Sequence, residues 1–226
     1  KTTAFNMLTG VYRPTDGGIR LDGQNLIGKK PHEICKLGVA RTFQNIRLFS
    51  QLSVLDNVKT GLHNQITYSF AESMFHLGSY RKKEKQMDEK ALELLRVFDL
   101  DGVADYKAAN LPYGKQRKLE IARALATNPK LLLLDEHTAA LDPKTAKNVL
   151  TLTQRIVQEY GLTAMMVTHN MKDALQYGNR TIMMHEGKVI LDIDSKTKKR
   201  LHVDDLLVMF ERASGDALNN DRMLLS

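Results

Sequence analysis

The sequence predicts an α/β protein: a parallel sheet with helices between its strands, and a helical segment inserted among them. Three observations predict it. "KLLLLDE" (Lys130–Glu136) is a continuous apolar run ending in two acids, and a strand apolar on both faces belongs in a parallel sheet covered on both sides. "LTAMMVTHN" (Leu162–Asn170) is a second such run, one helical stretch later, which is the alternation of α/β folds. From Val54 to Leu100 strand signals are absent, and a charged face through Arg81–Arg96 accompanies apolar Leu92, Leu95 and Val97, as helices require.

The elements follow in order. Phe5–Leu8 reads as a short helix stopped by Gly10. "GGIRLDGQNL" alternates apolar and polar residues between glycines, as strand and turn do. "HEICKLGVARTFQ" begins helical and ends in a strand at Val39–Phe43. After the helical middle, "GKQRKLEIARALATNP" is a helix opened by Gly114 and closed at Asn128–Pro129. The two apolar strands flank a helix with Pro143 in its first turn and Gly161 past its end. "RTIMMHEGKVILDI" reads as a hairpin turned at Glu186–Gly187.

Composition narrows the function classes. The 226 residues carry a net charge of +7, which invites a nucleic-acid or lipid-surface reading. The basic clusters "RKKEK" (Arg81–Lys85) and "KTKKR" (Lys196–Arg200) are short, lack interleaved aromatics, and there is no Trp; base-stacking platforms need such rings, so solvated surface and no nucleic-acid partner are expected. Apolar runs such as Leu131–Leu134 fall far short of the roughly 20 residues that span a bilayer. Cys35, the single cysteine, forms no internal disulfide and fits a reducing compartment.

Four motifs carry candidate chemistry. Asp135 and Glu136 end a buried strand, and ligands bind beyond that end in open parallel sheets. One acid suits Mg²⁺ through water; its neighbour can orient a water against a γ-phosphate. The same pair also reads as a solvated acidic turn. His169 ends the next strand, either as a surface or capping residue or within reach of the same phosphate. Gly114 opens a helix, whose N-terminal amides and dipole suit a phosphate; a plain helix start is the alternative. Gln44 follows "VARTF" and can reach a metal or water through its amide oxygen. At the start, "KTT" (Lys1–Thr3) matches the tail of G-x-x-x-x-G-K-[ST], the phosphate-binding loop, though a Lys-Thr pair also occurs by chance in any long chain.

In this order and spacing, the motifs resemble the ATPase subunit of ABC transporters across essentially the whole chain. Gln44 matches that family's Q-loop. "LPYGKQ" (Leu111–Gln116) resembles its LSGGQ signature, with Pro112 and Tyr113 in the second and third places and Lys115 in effect inserted before Gln116. "LLLLDE" resembles Walker B with the catalytic glutamate, "AALD" (Ala139–Asp142) the D-loop, and His169 the switch histidine. His137 stands where many members have proline, either as a near-neutral turn substitution or as a titratable group beside the nucleotide.

The resemblance implies a P-loop NTPase with a RecA-like core in residues 1–44 and 127–226 and a helical subdomain in 45–126. It implies ATP and Mg²⁺ as cofactors and Glu136 and His169 as catalytic. Lys1, Thr2 and Thr3 would contact nucleotide, as would Gln44, Asp135 and Asp142; Leu111, Gly114, Lys115 and Gln116 would do so as the signature. Thr2, Gln44 and Asp135 would hold the metal. The loop glycines and first strands of such a fold would precede Lys1. The expected assembly is a head-to-tail dimer with a second ATPase subunit, docked on a membrane permease at the cytoplasmic face of the plasma membrane and served indirectly by a solute-binding protein. Phe70, Met74 and Phe75 are candidate permease contacts or core. The N-terminal portion resembles ATPases of branched-chain amino acid importers; from "HTAALDPKTA" onward the chain resembles a group linked to aromatic amino acid uptake. A natural hybrid or a misassembled gene would give both. A non-transport ABC ATPase of DNA repair or translation is the competing class.

Overall fold

The computed structural model describes residues 1–64 and 78–214. Two compact units emerge, one comprising Thr3–Met165 and the other Lys1–Thr2 with Met166–Ser226. They part at Met165/Met166. The candidate permease contacts Phe70, Met74 and Phe75 lie outside the described residues.

The chain opens with helix α1 (Thr2–Leu8), a short hairpin of β1 (Arg20–Leu21) and β2 (Gln24–Asn25), and α2 (Pro31–Lys36). Its sheet places β3 (Val39–Thr42) and β4 (Leu131–Asp135) side by side, with β5 (Thr163–Val167) beyond β4. β3 and β4 run parallel, with Val39 opposite Leu131 and Thr42 opposite Leu134. Every residue of β4 is buried, as a central parallel strand requires. β5 departs from the expected buried strand: Thr163, Ala164 and Met165 are exposed. Among the described residues it ends the strand order, so one of its edges is left without a neighbouring strand.

Between β3 and β4 run α3 (Val54–Leu62), α4 (Gly78–Val97) and α5 (Tyr113–Ala126). Ser53 caps α3 by accepting a hydrogen bond from the Asp56 amide at 2.9 Å. Val54, Val58 and Leu62 of α3, Met87, Ala91 and Leu95 of α4, and Leu119, Ala122 and Ala126 of α5 are buried, at the three- and four-residue spacings that put apolar side chains on one face. Gly61 lets α3 and α5 touch: a Cβ there would lie 2.5 Å from the Arg123 carbonyl oxygen. Helix α6 (Pro143–Glu159) then leads into β5.

In the smaller unit, α7 (Met171–Gln176) is capped by Asn170, whose side chain accepts from the Asp173 amide at 3.1 Å. The expected hairpin is β6 (Thr181–His185) and β7 (Lys188–Ile193). Its turn residues Glu186 and Gly187 have φ of 45° and 79°, the mirror-image turn whose twist matches paired strands. Helices α8 (Ser195–Lys198) and α9 (Val203–Ser214) follow; Met171, Ile193 and Leu206 form the buried cluster of this unit.

Candidate functional site

β4 delivers Asp135, and the chain then turns sharply. Glu136 has φ +43°, a left-handed conformation that non-glycine residues adopt at a cost and that clusters at functional sites. Asp135 is buried, and its Oδ2 accepts from Arg41 Nη2 at 2.6 Å. From just beyond β3, Gln44 donates its side-chain nitrogen to Glu136 Oε2 at 2.9 Å. Asp135 is thus held by a buried cation, and Glu136 accepts from the Gln44 amide.

Helix α5 fastens this corner. Arg117 and Glu120, each 1% exposed in the side chain, form an ion pair at 2.7 Å. Arg117 also donates to the carbonyls of Phe43 at 2.6 Å and Gln44 at 2.8 Å. Glu120 Oε1 accepts from the amides of Phe43 and Arg47, both at 3.3 Å. The backbone around Gln44 is thus bound on both sides by charges of one helix, and charge-assisted bonds of this kind are the strong ones.

His137 lies buried behind Glu136, and neither ring nitrogen has a hydrogen-bond partner among the described residues. Burial, and next the charge of Arg117, lower its pKa to about 3. The imidazole is neutral at physiological pH, which removes the reading of His137 as a group titrating there.

The signature-like segment begins with buried Leu111, whose carbonyl accepts from the Gln116 side chain at 2.8 Å. Helix α5 runs without interruption through Lys115, which is exposed, so no bulge marks an extra residue there. A Cβ on Gly114 would meet Thr145 Cγ2 at 2.7 Å; this glycine serves close packing on α6 within the chain itself. Asp142 caps α6 by accepting from the Thr145 amide at 3.0 Å, and hydrogen bonds from Thr145 hold its carboxyl below the usual range.

The structure brings together Gln44, Asp135 and Glu136, and packs Gly114 beside the helix capped by Asp142. Thr3 is exposed in the same unit; Lys1, Thr2 and His169, also exposed, belong to the other. Among the described residues no group of three or more His, Cys, Asp or Glu side chains could hold a metal. Sequence reasoning passed over Arg41, Arg117 and Glu120. The signal was present: Arg41 interrupts an otherwise uncharged strand, and Arg117 and Glu120 are opposite charges three apart on the buried side of a helix.

A model of the ABC transporter family matches residues 1–139. The chain belongs to the ABC transporter family, and is its ATP-hydrolysing subunit. It is 36% identical over 192 residues to the high-affinity branched-chain amino acid transport ATP-binding protein BraF of Pseudomonas aeruginosa, covering 85% of this chain and 75% of that one. It is 35% identical over 215 residues to a tyrosine transport ATP-binding protein of Clostridioides difficile, covering 94% and 82%. Among solved structures, an ATP-binding cassette of an ABC transporter in its ADP conformation matches with a TM-score of 0.74 and 28% identity over 92% of this chain and 81% of that one. A dimeric cassette in a post-hydrolysis state, bound to ADP and Pi, matches with a TM-score of 0.70 and 28% identity over 86% and 80%.

Proposed function

We propose that the chain powers an amino acid importer, of branched-chain type, by hydrolysing ATP at the corner formed by Gln44, Asp135 and Glu136. The hydrogen bond from Gln44 to Glu136 at 2.9 Å, beside Asp135, is the observation that carries this reading. The donor set suits Mg²⁺, a hard cation that takes one or two carboxylates and completes its shell with water and substrate phosphates; Asp135 supplies the carboxylate, and Gln44, engaged through its nitrogen, retains an amide oxygen as a ligand type. Bound there, Mg²⁺ would neutralise charge on the phosphate oxygens. Glu136 orients and deprotonates the attacking water, and Gln44 fixes the Glu136 carboxylate for that task. By the family resemblance, Lys1 and Thr2 are assigned to the phosphates, Thr2 also to the metal with Thr3 beside it, and His169 to the γ-phosphate.

The signature residues Leu111, Gly114, Lys115 and Gln116, with Asp142, face a second ATPase subunit in a head-to-tail dimer; the similar cassette solved as a dimer with ADP and Pi supports this assembly. The dimer drives a permease from the cytoplasmic face of the membrane, with a solute-binding protein delivering the solute. No helix among the described residues is long and apolar enough to cross a membrane.

A second reading, tyrosine import, is favoured by the longer match to the tyrosine transport relative, 94% of this chain against 85% for BraF. The test is ATP-dependent uptake in vesicles holding the full-length subunit and its permease, with radiolabelled leucine in one arm and tyrosine in the other. Leucine uptake supports the branched-chain reading and tyrosine uptake the second. ATP-dependent efflux, or uptake of neither, refutes both.

A further inference from the structure

Strand β3 holds a residue that a buried strand does not call for. Arg41 lies between Ala40 and Thr42, both buried, and its own side chain is 7% exposed. Nη2 donates to Asp135 Oδ2 at 2.6 Å, and Nη1 to Asn6 Oδ1 at 2.7 Å and to Thr9 Oγ1 at 3.4 Å. The guanidinium lies 5.6 Å from the ring centroid of Phe5 and 5.1 Å from that of Phe43. Contacts from α1, from the residue beyond it at Thr9, from the end of β3 and from the end of β4 thus fix one planar group.

Stability does not account for this arrangement. Removing two charges from water costs several kcal/mol per ion, and well-packed apolar residues of similar volume often do as well or better. An apolar pair, however, cannot orient a carboxylate. A guanidinium fork can, because its donors are rigid and planar, and the bond to Asp135 engages Oδ2 only.

We propose that Arg41 is a positioning residue for the nucleotide–metal site: it holds Asp135 by Oδ2, tied through Asn6 to α1, and so presents Oδ1 for magnesium binding through water. This rests on the reading of Asp135 as the metal-holding acid. Partners that orient a ligating side chain typically change metal affinity 10- to 100-fold when lost.

The experiment measures the affinity of the full-length subunit for a non-hydrolysable ATP analogue, with MgCl₂ and with EDTA, by calorimetry. Arg41→Met should cut the gain conferred by magnesium about 10- to 100-fold and leave affinity in EDTA within about twofold of wild type. In an Asp135→Asn background, Arg41→Met should add no further loss. If Arg41→Met does not fold by circular dichroism, Arg41→Lys serves: it keeps the charge but loses the fork, and a partial loss of the magnesium gain is expected. A full magnesium gain in a folded Arg41 variant, equal losses with and without magnesium, or an undiminished loss in the Asp135→Asn background overturns the inference. No magnesium gain in the wild type refutes the assignment of Asp135 itself, a different result from any of these.

Discussion

Glu120→Leu isolates the contribution of the α5 clamp. The substitution removes the carboxylate that pairs with Arg117 at 2.7 Å inside a pocket where both side chains are 1% exposed. It also removes the acceptor for the Phe43 and Arg47 amides. Breaking a buried pair by deleting one partner leaves an uncompensated charge, at a cost of about 3–5 kcal/mol. With a urea dependence of about 1–3 kcal/mol per molar, the unfolding midpoint should fall by on the order of 1–5 M. The assay is urea unfolding followed by far-UV circular dichroism, for Glu120→Leu, Arg117→Leu and the double variant. Residues in contact couple, so the double variant should be less damaged than the sum of the singles by about 2 kcal/mol. A loss below about 1 kcal/mol for Glu120→Leu, or singles that simply add, would refute the claim that the pair acts as one unit.

Gly114→Val should destabilise the chain by about 1–3 kcal/mol, because its Cβ would press on Thr145 Cγ2 at 2.7 Å; Thr145→Ala should relieve most of that in thermal unfolding. Lys59 joins α3 to α4 through Glu84 at 3.0 Å and Asp88 at 2.7 Å. Burial alone would lower its pKa, but the hydrogen bonds to Asp88 and Glu84 together outweigh it and push it up to about 12. Because the folded value is raised, the stability Lys59 contributes is complete below the unfolded value near 10.5 and is lost as pH rises through about 12. Lys59→Met should therefore cost about 1 kcal/mol at pH 8, and the gap to wild type should begin to close only above pH 10; a gap that widens with pH contradicts the sign.

Much of the fold was legible because its signals are local. The four leucines of β4 announce burial on both faces, Pro143 and Gly161 bracket α6, and Glu186–Gly187 marks the hairpin. β5 misled because apolar residues report a preference for burial and not a place in the sheet: strand order, a long-range property, put "TAMMV" at the end. The acids and Gln44 were legible as an ordered set of motifs. Arg41 was not, since its role depends on Asn6 and Asp135, the latter 94 positions away in the chain. Gly114 was read as a phosphate-facing glycine or a plain helix start, and its contact with Thr145 follows from helix packing that no local pattern reveals.

The central claim is that the corner of β4 hydrolyses ATP through Glu136, and Glu136→Gln in the full-length subunit tests it most directly. The substitution keeps the size of the side chain and removes the base. Losing such a group should lower ATP turnover by about 10²-fold or more, leave nucleotide affinity nearly unchanged, and let an ATP-bound dimer accumulate on size exclusion. Turnover at the wild-type rate, or loss of nucleotide binding in step with turnover, would contradict the account.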